Sequence, residues 1–431
     1  MAHHDLHGSS GRRAPRPEAI RSLVAILTAQ CNLRCSYCYQ NAKTSLHMDW
    51  NVLHATIDLA LSTAGKTIKL AFSGGEPLLK YRLMQRAVRY AREKCPPDRH
   101  IKFSLATNGI LLTKARIAFL VRHDFSIYLS LDGIAAAQDA RSIGSFAILD
   151  GLLDHLRKKH PDFFRNNLTI RATVTPRSIR YLGETVDYFL GKGLRHIAIS
   201  PVLTACPEWR VENVQEIEAQ FRRIFKSSLD HLDRTDAVPL LLFRKIRHEP
   251  AHFLKRRSMC GVMLGKTPAV DADGQVYGCA VLACSGQRPR SALLRERLDG
   301  LRLGDLRERG FRKRFAKFPQ AVLQAEIFDH KENKYSSYGR CRDCRYFAAC
   351  SICPLAIGFD PANTDPHRIP DFACAFFKTQ FKYRELFPVQ GEWRAARATH
   401  ADPARLIARF KVLFGFDPTK SDCDRRKSSP C

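Results

Sequence analysis

Short apolar segments alternate with longer amphipathic ones from Ser22 to about Pro201. This alternation is typical of βα units that build a parallel sheet. Six of the apolar segments have the length and composition of strands, namely residues 22–28, 67–72, 101–106, 126–131, 168–175 and 195–200. Because a closed barrel of this type needs eight units, the predicted fold class is α/β, a partial (βα)6 barrel that stays open.

The strand-like segments carry polar or small residues at every second position, as in Ile68-Lys69-Leu70-Ala71-Phe72-Ser73. Parallel strands that are covered on both faces usually form continuous apolar runs. If the apolar set packs under the helices, the polar set lines the interior, where a charged ligand finds hydrogen-bond partners. Active sites of βα barrels lie at the carboxyl ends of the strands, so we expect a ligand there.

Three cysteines follow the first strand in the run Cys31-Asn-Leu-Arg-Cys35-Ser-Tyr-Cys38. Cysteine thiolates are the usual ligands of iron–sulfur clusters, and a [4Fe–4S] cluster normally takes four of them. A C-x3-C-x2-C loop without a fourth cysteine nearby therefore predicts a cluster with one iron open to another ligand. A zinc site or a redox dithiol is the alternative for three cysteines considered alone.

A second motif, Ser73-Gly74-Gly75-Glu76-Pro77, follows the second strand. The two glycines allow the backbone to approach a ligand closely, and the proline stiffens the turn after the carboxylate. By itself such a tetrapeptide indicates only a tight turn. Its place directly after a strand, downstream of the cysteine loop, makes the pair of motifs informative.

The two motifs together resemble those of the radical S-adenosylmethionine (SAM) superfamily. The resemblance implies that Cys31, Cys35 and Cys38 hold a [4Fe–4S] cluster and that the segment Gly74–Pro77 binds the methionine end of SAM. It also implies that the amino and carboxylate groups of SAM chelate the open iron. One electron from the cluster would then split the sulfonium, and the resulting 5′-deoxyadenosyl radical would abstract a hydrogen from substrate.

The same resemblance makes five further residues candidate contacts of SAM: Tyr37, Asn108, Ser130, Asp132 and Arg141. Ser130 and Asp132 would contact the ribose or methionine part, Arg141 a carboxylate, and Tyr37 the adenine. The alternatives are an ordinary ion pair within a βα loop for Arg141 and simple packing for Tyr37. No residue is assigned as the proton-transferring group.

Seven of the cysteines in the second half of the chain form a further group: Cys260, Cys279, Cys341, Cys344, Cys350, Cys353 and Cys374. The turn Asp271-Ala-Asp-Gly274 between apolar flanks predicts a hairpin. Cysteines spread in this way suit metal clusters better than disulfides. A zinc ribbon is the alternative for the group from Cys341 to Cys353.

This region resembles the SPASM domain, a C-terminal extension of many radical SAM enzymes that holds two auxiliary [4Fe–4S] clusters. The resemblance assigns four cysteines to one cluster and three to the other: Cys341, Cys344, Cys350 and Cys374 to the first, and Cys260, Cys279 and Cys353 to the second. The spacing between Cys350 and Cys353 is x2 rather than the family's x3, so the division of ligands could differ. The fourth ligand of the three-cysteine cluster would be Cys284, or its fourth iron would stay open to substrate.

The predicted organisation has four parts. Residues 1–21 form a disordered tail, 22–235 the radical SAM core, 236–385 a linker helix and a cysteine-rich SPASM domain of a small β-hairpin plus helices, and 386–431 a C-terminal helix and basic tail. The chain lacks a signal-peptide h-region and any apolar run that would span a bilayer, so we expect a cytoplasmic protein with no membrane partner. The 15 cysteines are an odd number and favour a reducing compartment.

The net charge of +28 favours encounters with anionic partners. The basic segment from Arg288 to Lys317 is typical of a solvated helix or loop face, and the alternative is a binding surface for an acidic peptide. A nucleic-acid partner is not the favoured interpretation, although RNA modification is kept as an alternative that predicts steep salt dependence of RNA affinity.

Relatives with a SPASM domain mostly modify peptides or proteins, so the leading hypothesis is a maturase that crosslinks or oxidises a ribosomally synthesised, acidic precursor peptide. Its expected partners are this peptide, a reductant such as flavodoxin or ferredoxin, and a separate leader-binding protein. The sulfatase-maturating branch resembles this chain less, because it has an aspartate after the second SPASM cysteine, where this chain has Ala280. A non-enzymatic electron-transfer protein is a further alternative.

Overall fold

A computed structural model describes residues 22–63, 65–202, 208–244, 267–283, 285–286, 302–316, 333–347, 350, 365 and 367–388. The predicted tail 1–21 and the cysteines Cys260, Cys284 and Cys353 lie outside the described residues. The predicted C-terminal part 386–431 lies outside them except for residues 386–388.

Six parallel strands neighbour one another in chain order, as predicted: β1 (Ser22–Thr28), β2 (Thr67–Gly74), β3 (His100–Thr107), β4 (Ser126–Ser130), β5 (Leu168–Val174) and β6 (Ile197–Pro201). Their ends agree with the sequence prediction to within two residues. The open α/β architecture is therefore confirmed. It arises because each strand is followed by at least one helix, which returns the chain to the end of the sheet where the parallel strands begin.

Eight α-helices accompany these strands: α1 (Trp50–Leu61), α2 (Tyr81–Lys94), α3 (Lys114–Arg122), α4 (Ala135–Gln138), α5 (Ser145–Lys159), α6 (Pro161–Asn167), α7 (Leu182–Gly191) and α8 (Val214–Thr235). The apolar strand positions pack under the helices, where Leu70 and Phe72 are fully buried. The alternate small and polar positions, such as Ser73 and Ala106, line an interior cavity. The predicted division of the strands into two faces is thus present.

The predicted hairpin lies on the edge of the barrel sheet. Strand β7 (Ala269–Val270) pairs in parallel with β1, and β8 (Gln275–Tyr277) and β9 (Arg302–Asp305) continue antiparallel. The described sheet therefore has nine strands in the order β6-β5-β4-β3-β2-β1-β7-β8-β9. Residues from the predicted SPASM region are placed directly beside the strand that leads to the cysteine loop.

Further elements follow the hairpin: α9 (Phe311–Ala316), β10 (Tyr335–Ser336), β11 (Gly339–Arg340) and α10 (Asp371–Leu386). Helix α10 packs on α8, with ring centroids 5.0 Å apart for Phe221 and Phe376 and 5.5 Å apart for Phe225 and Tyr383. These rings belong to the same apolar core as the barrel strands. Within the described parts, no helix is both long and apolar enough to cross a membrane.

We expect Asp49 to fix the start of α1, where the cysteine-bearing loop ends. Its carboxylate accepts a hydrogen bond from Val52 N at 2.8 Å. Replacing Asp49 with Ala should lower the free energy of unfolding by about 1 kcal/mol, because one backbone N–H loses its partner. Asp49→Asn keeps a side-chain acceptor and is the matched control. Urea unfolding followed by circular dichroism measures both, and an equal loss of stability in the two variants would contradict the capping role.

Candidate functional site

A cavity of ≈ 550 Å³ lies at the carboxyl ends of the six parallel strands. Residues from all six strands or from the loops that follow them contribute to its wall. Nine of the residues predicted to bind the cofactors line it: Cys31, Cys35, Tyr37, Cys38, Gly74, Gly75, Asn108, Ser130 and Arg141. The lining residues do not include Glu76, Pro77 or Asp132, whose side chains lie behind the wall.

The cysteine loop is fixed to its surroundings by backbone contacts. Ala29 N donates to Leu46 O at 2.9 Å, which closes the base of the loop. Ser36, between two of the cysteines, donates from both its N and its Oγ to Ala140 O at 3.1 Å. These contacts bring the loop against the segment after α4, on the far side of the cavity from β1. All three cysteines line the cavity.

Hydrogen-bond donors face two of the three sulfurs. Leu33 N donates to Cys31 Sγ at 3.4 Å, and Lys43 Nζ donates to Cys38 Sγ at 3.2 Å. Burial raises the pKa of the Cys31 and Cys35 thiols, so the free thiols hold their protons until a metal displaces them. Donors aimed at sulfur suit a thiolate, which is the form that ligates iron. The donor set therefore fits an iron–sulfur cluster.

Among the residues that the structure describes, no group of three or more His, Cys, Asp or Glu side chains is placed around a single metal-ion position. This finding applies equally to a zinc site and to a cluster, so the geometry alone does not separate the two alternatives.

Gly74 and Gly75 bring the second motif against the end of β1. Gly75 N donates to Thr28 O at 2.8 Å, and Glu76 N donates to Gln30 O at 2.9 Å. A Cβ atom on Gly75 would lie 2.2 Å from Gln30 O, and Gly74 has a φ of +135° that other residues rarely adopt. Only glycine fits at both positions. The motif is therefore held beside the residue that precedes Cys31.

Glu76 is fully buried and its carboxylate is occupied by three protein donors. It accepts from Leu78 N at 3.0 Å, from Thr107 Oγ1 at 2.8 Å and from Asn108 N at 2.8 Å. Burial raises its pKa, and these three hydrogen bonds act in the opposite direction. Glu76 thus joins the ends of β2 and β3, and the neighbouring Pro77 begins a short 3₁₀ helix. A contact of either side chain with SAM stays a prediction.

Asp132 is the centre of a buried polar group behind the cavity wall. Arg141 donates to it from Nη2 at 2.8 Å and from Nε at 3.3 Å, and Thr173 N donates at 2.9 Å. The Tyr37 hydroxyl donates to the same carboxylate. The ion pair considered as the alternative for Arg141 is therefore present, and the pair fixes both Arg141 and Tyr37 at the cavity.

The charges of this group reinforce one another. Burial alone would lower the pKa of Arg141, but the facing Asp132 carboxylate outweighs it and the pKa is raised. Burial and the same carboxylate raise the pKa of Tyr37. Arg141 consequently stays cationic and Tyr37 stays a neutral donor. Both groups present fixed polarity to whatever occupies the cavity.

Two cations at the cavity were not singled out from the sequence. Arg171, on β5, lies with its guanidinium carbon 4.5 Å from the centre of the Tyr128 ring, and both line the cavity. Lys43 lines it on the side of the cysteine loop. The residues that line the described cavity include no Asp or Glu, so its wall carries positive charge. The inward position of Arg171 in its strand was the available signal, and Lys43 had none.

Four of the later cysteines line a second, smaller cavity: Cys341, Cys344, Cys350 and Cys374. They are the four that the resemblance to the SPASM domain assigns to one cluster. Cys341 and Cys344 follow β11, and Cys374 lies in the first turn of α10, where Ser336 Oγ donates to its sulfur at 3.1 Å. Cys279 lies apart from them, next to Val281, which lines the first cavity. Its predicted companions Cys260 and Cys353 fall outside the described residues.

Comparisons with known proteins agree with this geometry. The sequence profile of the radical SAM superfamily matches residues 25–189. The serine-type anaerobic sulfatase-maturating enzyme of Klebsiella aerogenes is 30% identical over 282 residues, which cover 62% of this chain and 67% of that enzyme. The chain belongs to the radical SAM superfamily. It is therefore an enzyme, and its cofactors are a [4Fe–4S] cluster and SAM, as predicted.

Further relatives match different shares of the chain. The cysteine-type anaerobic sulfatase-maturating enzyme of Clostridium perfringens is 23% identical over 355 residues, which are 76% of this chain and 86% of that enzyme. An uncharacterized protein of Methanocaldococcus jannaschii is 28% identical over 183 residues, and the match spans only 62% of its length. The solved structure of native anSMEcpe with bound AdoMet and Kp18Cys peptide has the same fold, with a TM-score of 0.62 and 19% identity over 84% of this chain and 96% of that one.

We expect the radical SAM core to tolerate the buried Arg141 cation only while the Asp132 carboxylate faces it. Asp132→Asn leaves the Arg141 cation without its carboxylate and should lower the free energy of unfolding by about 3 kcal/mol. Asp154→Asn is the matched control, because Asp154 pairs with Arg157 and Lys192 at the surface. The control should lose less than about 1 kcal/mol. Urea unfolding of the cluster-free proteins measures both, and equal losses would show that burial of the pair is unimportant.

Proposed function

We propose that this chain is a peptide- or protein-modifying radical SAM maturase. The observation that carries the proposal is the neighbourhood of the first cavity, where the cysteine loop meets a segment of the cysteine-rich second half. Val281, next to Cys279, lines the same cavity as Cys31, Cys35 and Cys38. A substrate that enters this cavity would contact both cysteine regions. The solved structure of native anSMEcpe contains bound AdoMet together with the Kp18Cys peptide.

The residues of the first cavity are suited to hold the two cofactors. Cys31, Cys35 and Cys38 would ligate the [4Fe–4S] cluster. The backbone at Gly74 and Gly75 would face the methionine end of SAM, with the other predicted contacts on the facing walls. When bound, the cofactors supply a 5′-deoxyadenosyl radical that abstracts a hydrogen atom from the substrate.

Two cations are available for the carboxylate of SAM. Arg141 is held in place by Asp132, and Arg171 lies over the Tyr128 ring on the neighbouring strand. An arginine that stacks on a ring keeps its N–H groups free to bind a carboxylate in its own plane. We assign Arg171 to this role beside the predicted Arg141. In this assignment Tyr37, which belongs to the cysteine loop, is the aromatic side chain that covers the adenine of SAM.

The second cavity would hold an auxiliary cluster. Its four cysteines come from the turns that follow β11 and from α10, so the cluster would add a covalent link between segments that the β-bridge of Tyr335 with Arg368 already connects. The second auxiliary cluster would use Cys279 with Cys260 and Cys353. Because Cys279 lies next to Val281, this cluster would lie beside the substrate. There it can accept an electron or ligate a substrate thiolate.

The substrate we favour is an acidic, ribosomally synthesised precursor peptide that is crosslinked or oxidised. The cationic wall of the cavity and the net charge of +28 both favour an acidic chain over a basic one. Flavodoxin or ferredoxin would supply the electron, and a separate protein would bind the leader of the precursor.

Formation of formylglycine in a sulfatase is the second candidate. It is favoured by the names of the relatives from Klebsiella aerogenes and Clostridium perfringens, which are sulfatase-maturating enzymes. Against it stands Ala280, at the position where that branch is expected to have a catalytic aspartate. No carboxylate is found among the residues that line the described cavity, so a base would have to come from elsewhere.

Coexpression separates the two candidates. The enzyme is produced with the peptide encoded next to its gene, and in parallel with a sulfatase-derived peptide that contains the Cys or Ser target. Mass spectrometry detects loss of hydrogens from the precursor if it is crosslinked or oxidised. Labelling with a hydrazide detects the aldehyde of formylglycine. An unchanged precursor together with a labelled sulfatase peptide would replace the favoured reaction with the second one, and two unchanged peptides would contradict both.

The two cysteine regions should differ in what their loss does. Cys35→Ala should abolish formation of 5′-deoxyadenosine, because the SAM cluster loses a ligand. Cys350→Ala should leave that reaction in place and block the modified peptide, because it affects only an auxiliary cluster. Cys95→Ala is the control, since Cys95 lies outside both cavities. Chromatography of 5′-deoxyadenosine and mass spectrometry of the peptide measure the two activities. Equal loss of both in the two variants, with folding intact, would contradict this division of roles.

A further inference from the structure

Lys43 is an unusual residue in the cysteine loop. Its ammonium nitrogen lies 3.2 Å from Cys38 Sγ. Its backbone has a φ of +45°, in the left-handed region that residues other than glycine rarely adopt. Such a conformation is unfavourable by about 1 kcal/mol and persists only where surrounding contacts impose it.

The residues on either side of Lys43 are held by the segment that follows the β7–β8 hairpin. Ala42 N donates to Gly286 O at 3.0 Å, and Thr44 Oγ1 donates to Ser285 O at 3.3 Å. Ser285 in turn donates from N, at 2.9 Å, and from Oγ to the carboxylate of Asp271. Asp271 is fully buried in the hairpin turn. The hairpin thus fixes the backbone that directs Lys43 to Cys38.

The charge of Lys43 has no carboxylate opposite it among the described residues. The ion pairs that the structure gives in this part of the chain do not include Lys43, and the cavity that it lines carries no Asp or Glu. An exposed lysine normally keeps its ammonium in water. Here the ammonium contacts the sulfur of a predicted cluster ligand instead. Its main electrostatic effect is therefore on that sulfur.

We propose that Lys43 acts on the cluster through its ligand Cys38 and raises the reduction potential of that cluster. The cluster then accepts an electron more readily. Net charge and hydrogen bonds to the sulfurs set the potential of an iron–sulfur cluster. A cation that donates to a ligating thiolate stabilises the form with one more electron. The inference rests on the proposed assignment of Cys38 as a cluster ligand. It adds that the hairpin of the second half helps to set the potential of the first cluster.

The test is a potentiometric titration of the anaerobically reconstituted full chain without SAM, followed by electron paramagnetic resonance. The signal of this cluster is identified as the one that changes when SAM is added afterwards. Lys43→Met should lower the equilibrium constant for one-electron reduction about tenfold, which is about 59 mV in midpoint potential. Lys43→Arg keeps the charge and should stay near the wild-type potential. Lys66→Met, at the exposed opposite end of β2, is the matched control and should change nothing.

Each outcome has a distinct meaning. An unchanged potential in Lys43→Met, with the cluster present, overturns the role of Lys43 and leaves the proposed function untouched. Absence of any SAM-sensitive signal in the wild-type protein contradicts the proposed function itself. If Lys43→Met fails to retain iron, Lys43→Gln, whose side chain is one atom shorter than that of lysine, keeps an N–H donor without the charge. A wild-type potential in Lys43→Gln would then overturn the proposal.

Discussion

The site depends on a close contact between two backbone segments at the ends of β1 and β2. Gly75 N and Glu76 N donate to Thr28 O and Gln30 O, immediately before Cys31. No side chain fits between them, since a Cβ on Gly75 would meet the Gln30 carbonyl at 2.2 Å. This contact brings together a cysteine loop from one strand and a glycine turn from the next, and both line the cavity. The placement of both motifs follows from it.

Buried carboxylates hold the rest of the cavity in place without lining it. Glu76 joins β2 to β3, Asp132 joins β4 to β5 through Thr173 N, and Asp271 holds the segment that contacts the cysteine loop. Each acid is satisfied by protein donors, which is the condition under which a buried carboxylate stabilises a fold. The negative charges therefore lie behind the wall, and the charged side chains among the described lining residues are the cations Lys43, Arg141 and Arg171. An anionic ligand is favoured by this arrangement.

Much of this could be predicted from the sequence, because the relevant signals are local. The period of two in Ile68 to Ser73 gives both the strand and its inward face. The grouping of Cys341, Cys344, Cys350 and Cys374, which line one cavity, was implied by the resemblance to the SPASM domain. What was missed depends on contacts between distant residues. The pairing of Val24 with Ala269 cannot be read from either segment alone. The contact of Lys43 with Cys38 depends on one left-handed residue, and the fixation of Tyr37 by Asp132 depends on the path of two loops.

The pairing of β7 with β1 also has a consequence for how the molecule assembles. Without residues 269–270, β1 would end the sheet and leave its backbone N–H and C=O groups open along an apolar segment. Open apolar edges of this kind recruit strands from other molecules. The outer side of β1 is therefore paired only after residues 269–270 have been synthesised, later than all six parallel strands. A truncated barrel that lacks the cysteine-rich half should be prone to self-association during synthesis, even if its six parallel strands are otherwise intact.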